Sequence, residues 1–463
     1  MSEKNSAIPV ELGTQNIGKL LRQYALPAII AQTASSLYNM VDSIFIGQGV
    51  GPLAISGLAV TFPLMNLSTA FGTLVGAGAA TMLSVLLGQK NYKAANKVLG
   101  NVVSLNIIIG LIFMAVALIF IDPILYFFGA SENTLPYAKE YMKIILYGNI
   151  ITHLYFGLNA AMRSSGSPKK AMGLTIFTVI FNTILDPIFI FVLDMGIAGA
   201  AWATVIAQTA AMCVVLHHFS DSSRPFHFEK GIASLDLRVA KDSLAIGLGP
   251  FLMNAAACLV TLFINQQLRE YSGDLGIGAY GITNRFAFMF IMICMGLNQG
   301  MQPIAGYNYG ARKYSRVKEV YLRTAVLGVL ITTTCFVIGV FFPQLAVGIF
   351  THDGDLMELG SRALRITMLV FPIVGFQMIS TNFFQSLGMV KKSIILSLSR
   401  QILFLLPLLY ILPMSFGSDG VWMSFPIADT ISTLMTIYML GRLFRKFNRL
   451  NDGDDPSILG SQL

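Results

Sequence analysis

Charge is what this chain has least of. Asp, Glu, Lys and Arg make up 12% of its 463 residues, against about 25% in a soluble domain. With 55% hydrophobic residues and a mean hydropathy of +0.68, the missing solvent is lipid. Cysteine is scarce as well. Cys213, Cys258, Cys294 and Cys335 all lie in apolar runs without metal-ligand spacing and read as small buried hydrophobes. Of the five histidines only His153 falls at membrane depth, and it has no evident partner. A membrane-embedded enzyme or receptor would need His, Glu or Ser constellations within the spans, so no enzyme is expected. The chain holds no GxxxxGK[ST] phosphate loop and does not hydrolyse ATP itself. The net charge of +8 forms no basic stripe, which excludes nucleic acid as a partner. The N-terminal MSEKNSAIPVELGTQN is polar and lacks a short apolar region ending in a cleavage site, so the first apolar run is expected to be kept as a helix.

What is present is a series of apolar runs. Six lie near 24–46, 53–87, 98–121, 140–162, 171–193 and 196–218, and a polar linker follows at 219–242. Six more lie near 243–267, 276–307, 319–342, 363–387, 393–414 and 420–441. A span needs about 20 residues, so twelve transmembrane helices are expected, with tilts or kinks where a run is longer. With the N-terminus inside, 24 of the 31 Lys and Arg residues fall on the cytoplasmic side, among them Lys4, Lys90, Arg163, Arg224, Lys230 and Arg312. Lys139, Lys143, Arg269, Arg362 and Arg365 fall outside, and Arg285 and Arg400 lie within spans. That bias places both termini in the cytoplasm.

The two halves repeat. ALPAIIAQTASSLYNMVDSIFIG (25–47) aligns with LGPFLMNAAACLVTLFINQQLRE (248–270), LLGQKNYKAANKV (86–98) with NYGARKYSRVKEV (308–320), and RSSGSPKKA (163–171) with QSLGMVKKS (385–393), at an offset of 220 to 224 residues. Six spans per copy give both copies one orientation, so the fold class is an all-α polytopic membrane protein: two six-helix bundles related by a parallel pseudo-two-fold repeat. The expected domains are an N-terminal lobe at 1–218, the linker at 219–242, a C-terminal lobe at 243–441 and a cytoplasmic tail at 442–463. A repeat on this scale is the mark of a transporter.

Against this background two acids in the first half stand out, Asp42 in YNMVDSIFIG and Asp186 in NTILDPIFIF. A charge at mid-membrane costs at least ~2.5 kcal/mol. The repeat places Asn265 opposite Asp42 and Leu406 opposite Asp186, while Pro187 and Pro407 coincide. The fold therefore needs the proline bend but not the acid. Asn182 shares a helix face with Asp186, and Tyr38 with Asp42. Pro187 removes a backbone donor and clashes with the carbonyl of residue 183. Carboxylate, amide oxygen and freed carbonyls suit a hard cation, or a proton held between two acids. Plainer readings stand beside these: a buried acid bonded to a neighbouring helix for Asp186, an interhelical hydrogen bond for Asn182 and Asn159, and an acid at the outer rim for Asp42. Asp429, aligned with Gln208, reads either as part of the transport machinery or as the partner of Arg400 or Arg285.

The twelve spans, the tandem halves, the LLGQKNYKAANKV and RSSGSPKKA connections and the NTILDPIFIF span together resemble the MATE (multidrug and toxic compound extrusion) family over roughly residues 15–445. The N-half acids are similar to its DinF-like branch. That resemblance implies a cation or proton site in the N-terminal lobe, mapping onto Asp42, Asn182, Asp186 and Thr204, with the carbonyl of Ala200 as a further candidate. Tyr38, Asn159 and Asp429 are secondary candidates. The NorM-like pattern, with carboxylates on the seventh and tenth spans, is not followed: the corresponding spans carry Asn254, Asn265 and Gln266, and Gln377, Asn382 and Gln385.

The function implied is secondary active efflux of organic, often cationic, drug-like compounds in exchange for H+ or Na+ by rocking of the two bundles. No cofactor is expected, and no metal other than Na+ at the N-lobe site. A monomer in the plasma membrane of a prokaryote is expected. The alternative is a lipid-linked oligosaccharide flippase of the same superfamily fold. It would want a strongly basic cavity, for which the deep cations are chiefly Arg285 and Arg400.

Overall fold

The structure, a computed structural model, describes residues 10–222, 226–228 and 235–455. Lys4, Arg224 and Lys230 of the charge bias, and the tail beyond 455, lie outside the described residues.

Each apolar run forms a helix, and polar, glycine or proline residues separate one run from the next. The first half contains α1 (Ile17–Gly49), α2 (Pro52–Gly88), α3 (Tyr92–Ile119), α4 in two pieces (Leu135–Tyr147 and Asn149–Ser164), α5 (Pro168–Val192) and α6 (Gly196–Ser220). The second half contains α7 (Leu237–Gly273), α8 (Leu275–Gly310), α9 (Tyr314–Phe341), α10 in two pieces bent by 55° (Gly354–Thr367 and Phe371–Ser386), α11 (Val390–Phe416) and α12 (Ser418–Phe447). Caps follow local chemistry. The Asn91 side chain accepts from the Ala94 amide at the start of α3, and Asp353 accepts from the Leu356 amide at the start of α10. Gly273, at φ 61°, breaks α7 from α8 in a conformation that favours glycine.

Eight of these helices are long and apolar enough to cross a membrane on their own, nine with the bent α10 counted as one span. The remaining three, α1, α4 and α12, carry the polar residues Asp42, His153 and Asp429, all of them buried. Those buried polar residues lower the hydropathy of their helices, while α1 and α12 also expose apolar side chains such as Leu37 and Leu434. The architecture is thus the all-helical, two-repeat one that the sequence led us to expect.

Packing gathers the helices into two compact units. One holds Ile30–Phe251, and the other holds Gln15–Ile29 with residues 252–455, so the division falls within α1 and α7. The first unit is built on a core that includes Ile46, Leu58, Phe113, Tyr141 and Ala201. The second is built on two clusters, one around Trp422 and Leu409, the other around Phe286 and Phe371. Within the first unit the end of the linker is clasped to α3. The Asn101 amide donates to the Asp236 carbonyl at 2.9 Å, and the Asp236 amide donates to the Asn101 Oδ1 at 3.0 Å. The Lys97 ammonium, 3.2 Å away, holds the Asp236 carboxyl below the usual carboxylate range.

The proline bend takes a definite form. In α5 the α-helical ladder runs to Pro187 and widens into a π-helical turn over Ile188–Val192, where the Leu193 amide donates to the Ile188 carbonyl at 2.9 Å. In α11 a π-helical stretch over Ser399–Leu405 precedes Pro407. The two copies share the proline and place the widened turn on opposite sides of it. Such turns arise where the ordinary ladder is interrupted and often accompany functional sites.

Two expectations need correction. His153 does have a partner: its Nε2 lies 2.9 Å from the Ser68 carbonyl oxygen and 3.3 Å from the Ser68 hydroxyl. Cys294 and Cys335 are buried, but Cys258 is half-buried and Cys213 exposed. In a lipid-facing helix an apolar side chain gains nothing from turning inward.

Candidate functional site

The residues that the sequence singled out in the first half converge within the first compact unit. α1 contributes Tyr38 and Asp42, one helical turn apart, and α5 contributes Asn182 and Asp186 on the turn that ends at Pro187. α6 contributes Thr204, with Ala200 one turn before it and fully buried. Asp42 is 5% exposed, Asn182 2% and Asp186 0%, so none of these polar groups can find its partner in bulk water.

Thr204 is the hub. Its hydroxyl shares a hydrogen bond with the Tyr38 hydroxyl at 2.9 Å, and the Asn182 amide nitrogen lies 3.4 Å away and donates to it. The same Asn182 nitrogen donates to Asp186 Oδ1 at 3.2 Å. Asp42 stands close enough for its charge to act on Asp186 and on Tyr38.

The geometry adds one residue that sequence reasoning missed. Tyr141, in the first piece of α4, is buried close enough to Thr204, Tyr38 and both acids to interact with them electrostatically. Nothing in YAKEYMKIILYG distinguishes this tyrosine from any other core aromatic; only the packing of α4 against α6 brings it here.

Three oxygens in this pocket have no hydrogen-bond partner among the described residues: Asp42 Oδ1, Asn182 Oδ1 and Asp186 Oδ2. Buried polar atoms are normally paired, and one left bare costs on the order of 1–3 kcal/mol. All three are acceptors on the carboxylate and amide groups. What completes them must be a hydrogen-bond donor or a cation: a water, a proton or a small positive ion. Two carboxylates, an amide and a hydroxyl are hard oxygen donors, suited to a proton or an alkali cation rather than to a soft metal.

The fit of α5 against α6 keeps this pocket closed. A Cβ placed on Gly199 would sit 2.9 Å from the carbonyl carbon and oxygen of Phe189, so the glycine lets the π-helical turn lie directly on α6.

The secondary candidates lie elsewhere. The Asn159 amide donates to the Ala171 carbonyl and the Thr175 hydroxyl, both at 3.3 Å, and so ties α4 to α5. Asp429 is buried in the second unit with its Oδ1 2.6 Å from the Nε of Arg400, which projects from the π-helical stretch of α11. Arg285 is exposed. Beside the ion pair the Gln377 amide donates to the Ser432 hydroxyl, while Gln377 Oε1 and Thr433 Oγ1 have no partner among the described residues.

Comparison with known proteins places this chain in a family. The MatE family profile matches residues 27–188 and again 249–411, once in each half. The multidrug export protein MepA of Staphylococcus aureus is 30% identical over 426 residues, covering 91% of this chain and 94% of the relative. The Staphylococcus haemolyticus MepA is 29% identical over 425 residues. Among solved structures, a complex of the MATE multidrug transporter DinF-BH is 36% identical with a TM-score of 0.88, covering 95% of this chain and 98% of that one. A MOP superfamily transporter from Pyrococcus furiosus superposes with a TM-score of 0.88 at 22% identity, a likeness of fold alone.

Proposed function

The chain belongs to the MatE family of multidrug export transporters, and from that membership we propose that it is an antiporter coupling at Asp42, Asn182, Asp186 and Thr204. It exports organic, often cationic, drug-like compounds across the plasma membrane in exchange for H+ or Na+. The named functions of MepA, multidrug export, and of DinF-BH, multidrug transport, support the substrate class.

One observation carries the coupling site: three buried acceptor oxygens, on Asp42, Asn182 and Asp186, have no donor among the described residues. Tyr38 orients Thr204, which in turn holds Asn182 against Asp186. Neutralising the pocket with a proton or a sodium ion would relieve the charge between the two acids. An ion that binds one conformation of the carrier better than the other shifts the balance between them, and only such a difference in affinity can do so. The two six-helix lobes, 1–218 and 243–441, would then rock within one polypeptide acting alone, with both termini in the cytoplasm.

The flippase alternative has less support. Arg400 is committed to Asp429, and Arg285 alone does not make a strongly basic cavity. The deciding experiment uses vesicles containing the purified protein, with a sodium gradient and a pH gradient imposed separately. Export of a fluorescent organic cation under at least one gradient, lost in Asp186→Asn, is the expected result. If neither gradient drives export, the antiport reading is wrong.

A further inference from the structure

The second compact unit carries a feature that transport at the Asp42–Asp186 pocket does not use. A groove of about 620 Å³ runs between α9 and α12, with Phe376 of α10 behind it. We infer that this groove binds an anionic glycerophospholipid of the surrounding bilayer, with the phosphate at Lys318 and one acyl chain laid along the groove.

The shape comes from the packing. α9 and α12 both rest on α10. The floor is buried: Tyr321 is 2% exposed and Leu440 7%. Tyr321 and Phe444 meet there with ring centroids 5.4 Å apart. The outer wall, Leu322, Val326 and Leu330, is more than half exposed and follows one face of α9 at four-residue spacing. The lining is therefore almost wholly apolar, and its exposed wall faces outward, as a lipid-facing surface does.

The polar atoms gather at one end. Lys318 lies in the second turn of α9, and its ammonium donates to Asn448 Oδ1 at 3.1 Å, beyond the last turn of α12. Twenty-eight helical residues span about 42 Å, the full thickness of a bilayer with its headgroups. Lys318 then sits near headgroup level, and the twelve residues from Lys318 to Leu330 reach about 18 Å into the bilayer, slightly more than half of the hydrocarbon core.

The charge at that end favours an anion. Arg445 and Lys446 occupy the last turn of α12, and Arg449 follows. Four acids stand near that end. Glu319 pairs with Arg323 at 2.8 Å, and Asp455 lies 3.8 Å from Arg312. Asp454 accepts from the Asn451 amide, and Asp452 accepts from Ser315 while its charge acts on Lys318. The Lys and Arg residues at 312–323 and 442–449 outnumber these acids nine to four. The Tyr321 hydroxyl is bonded to Ser380 at 2.8 Å, which leaves its ring rather than a polar atom to the groove. No acid lines the groove, so an organic cation finds no counter-charge there. A basic side chain at the interface above an apolar slot matches a phosphate above an acyl chain.

The test uses the full-length protein in detergent, stripped of lipid. Phosphatidylglycerol or phosphatidylcholine with identical acyl chains is titrated in, and bound lipid is counted by native mass spectrometry. The wild type should favour phosphatidylglycerol by about fivefold, the effect of one basic side chain at a charged membrane surface. Lys318→Gln should abolish that preference and Lys318→Arg should keep it. Val326→Trp, which fills the groove from its exposed wall, should lower retention of both lipids, with melting temperature as the check on folding. If that variant does not fold, the two Lys318 variants decide alone. Equal retention of both lipids by the wild type, or an unchanged preference in Lys318→Gln, would overturn the inference. So would displacement of phosphatidylglycerol by tetraphenylphosphonium, which would make the groove a path for cations instead.

Discussion

The Asn182 amide donates to one oxygen of Asp186 from one helical turn away, and the other oxygen of that carboxylate faces no donor among the described residues. One half of the acid is held in place and the other half is left open. That division of labour is what a site needs if it must bind and release a small positive charge without losing its shape.

Asp42 and Asp186 should therefore behave as one unit. Asp42→Asn and Asp186→Asn are each expected to abolish gradient-driven export, and the double variant to be no worse than either alone, because residues acting together are not additive. Transport by all three at matched surface expression, with drug binding in parallel, is the measurement. Substantial export by either single variant would dissolve the shared site.

Leu406 occupies the place of Asp186 in the second copy and packs against the core around Trp422. Leu406→Ala should cost about 2 kcal/mol, the low end for a Leu truncation, since the side chain is only half-buried. Ion coupling should survive. A melting curve and a transport assay on the same preparation separate the two effects.

The Arg400–Asp429 pair should show its worth only when broken. Removing Asp429 leaves the partly buried Arg400 charge without compensation, at a cost of about 1–3 kcal/mol, whereas replacing both with apolar residues is often nearly neutral. Asp429→Asn should lower the melting temperature, and Arg400→Met with Asp429→Leu should recover most of the loss while keeping coupled export. A double variant that is stable but uncoupled would transfer Asp429 to the transport machinery.

Gly199→Ala should be more harmful than its size suggests. The added methyl meets the Phe189 backbone rather than a movable side chain, so α6 must shift, at about 1–3 kcal/mol. Because Thr204 rides on α6, export should fall more steeply than stability does. Gly173→Ala, where a Cβ meets nothing within 4 Å, is the matched control.

Orientation can be read by labelling. In a cysteine-free background, Asn91→Cys and Arg312→Cys should react with a membrane-impermeant maleimide only from the cytoplasmic side. Both positions are exposed, unlike the neighbouring Tyr314, which is 1% exposed and would label poorly from either side. Reaction in intact cells would invert the topology.

The helices, the tandem repeat and the family were legible in the sequence because each rests on a long-range pattern: apolar run length, a constant offset and motifs in fixed order. The acids stood out because charge in an apolar span is expensive. Tyr141 was not legible, since a buried aromatic that packs in a core and one that borders a polar site look alike until α4 meets α6. The partner of His153 is a main-chain carbonyl, which no side-chain pattern can announce. Cys213 showed the limit of hydropathy: an apolar residue facing lipid and one facing protein satisfy the same rule. The choice between Arg285 and Arg400 for Asp429 turned on which face of its helix each occupies, and a π-helical stretch displaces that face from where regular periodicity would put it.

The guanidinium of Arg400 is fastened to the backbone of its own helix. It cannot be traded for anything dissolved in the surrounding water. The second half of the repeat thus holds its counter-ion as a permanent part of the chain. Under the proposed antiport the exchangeable ion belongs to the first half, and the stoichiometry of the cycle is set by a single pocket although the polypeptide is built twice over.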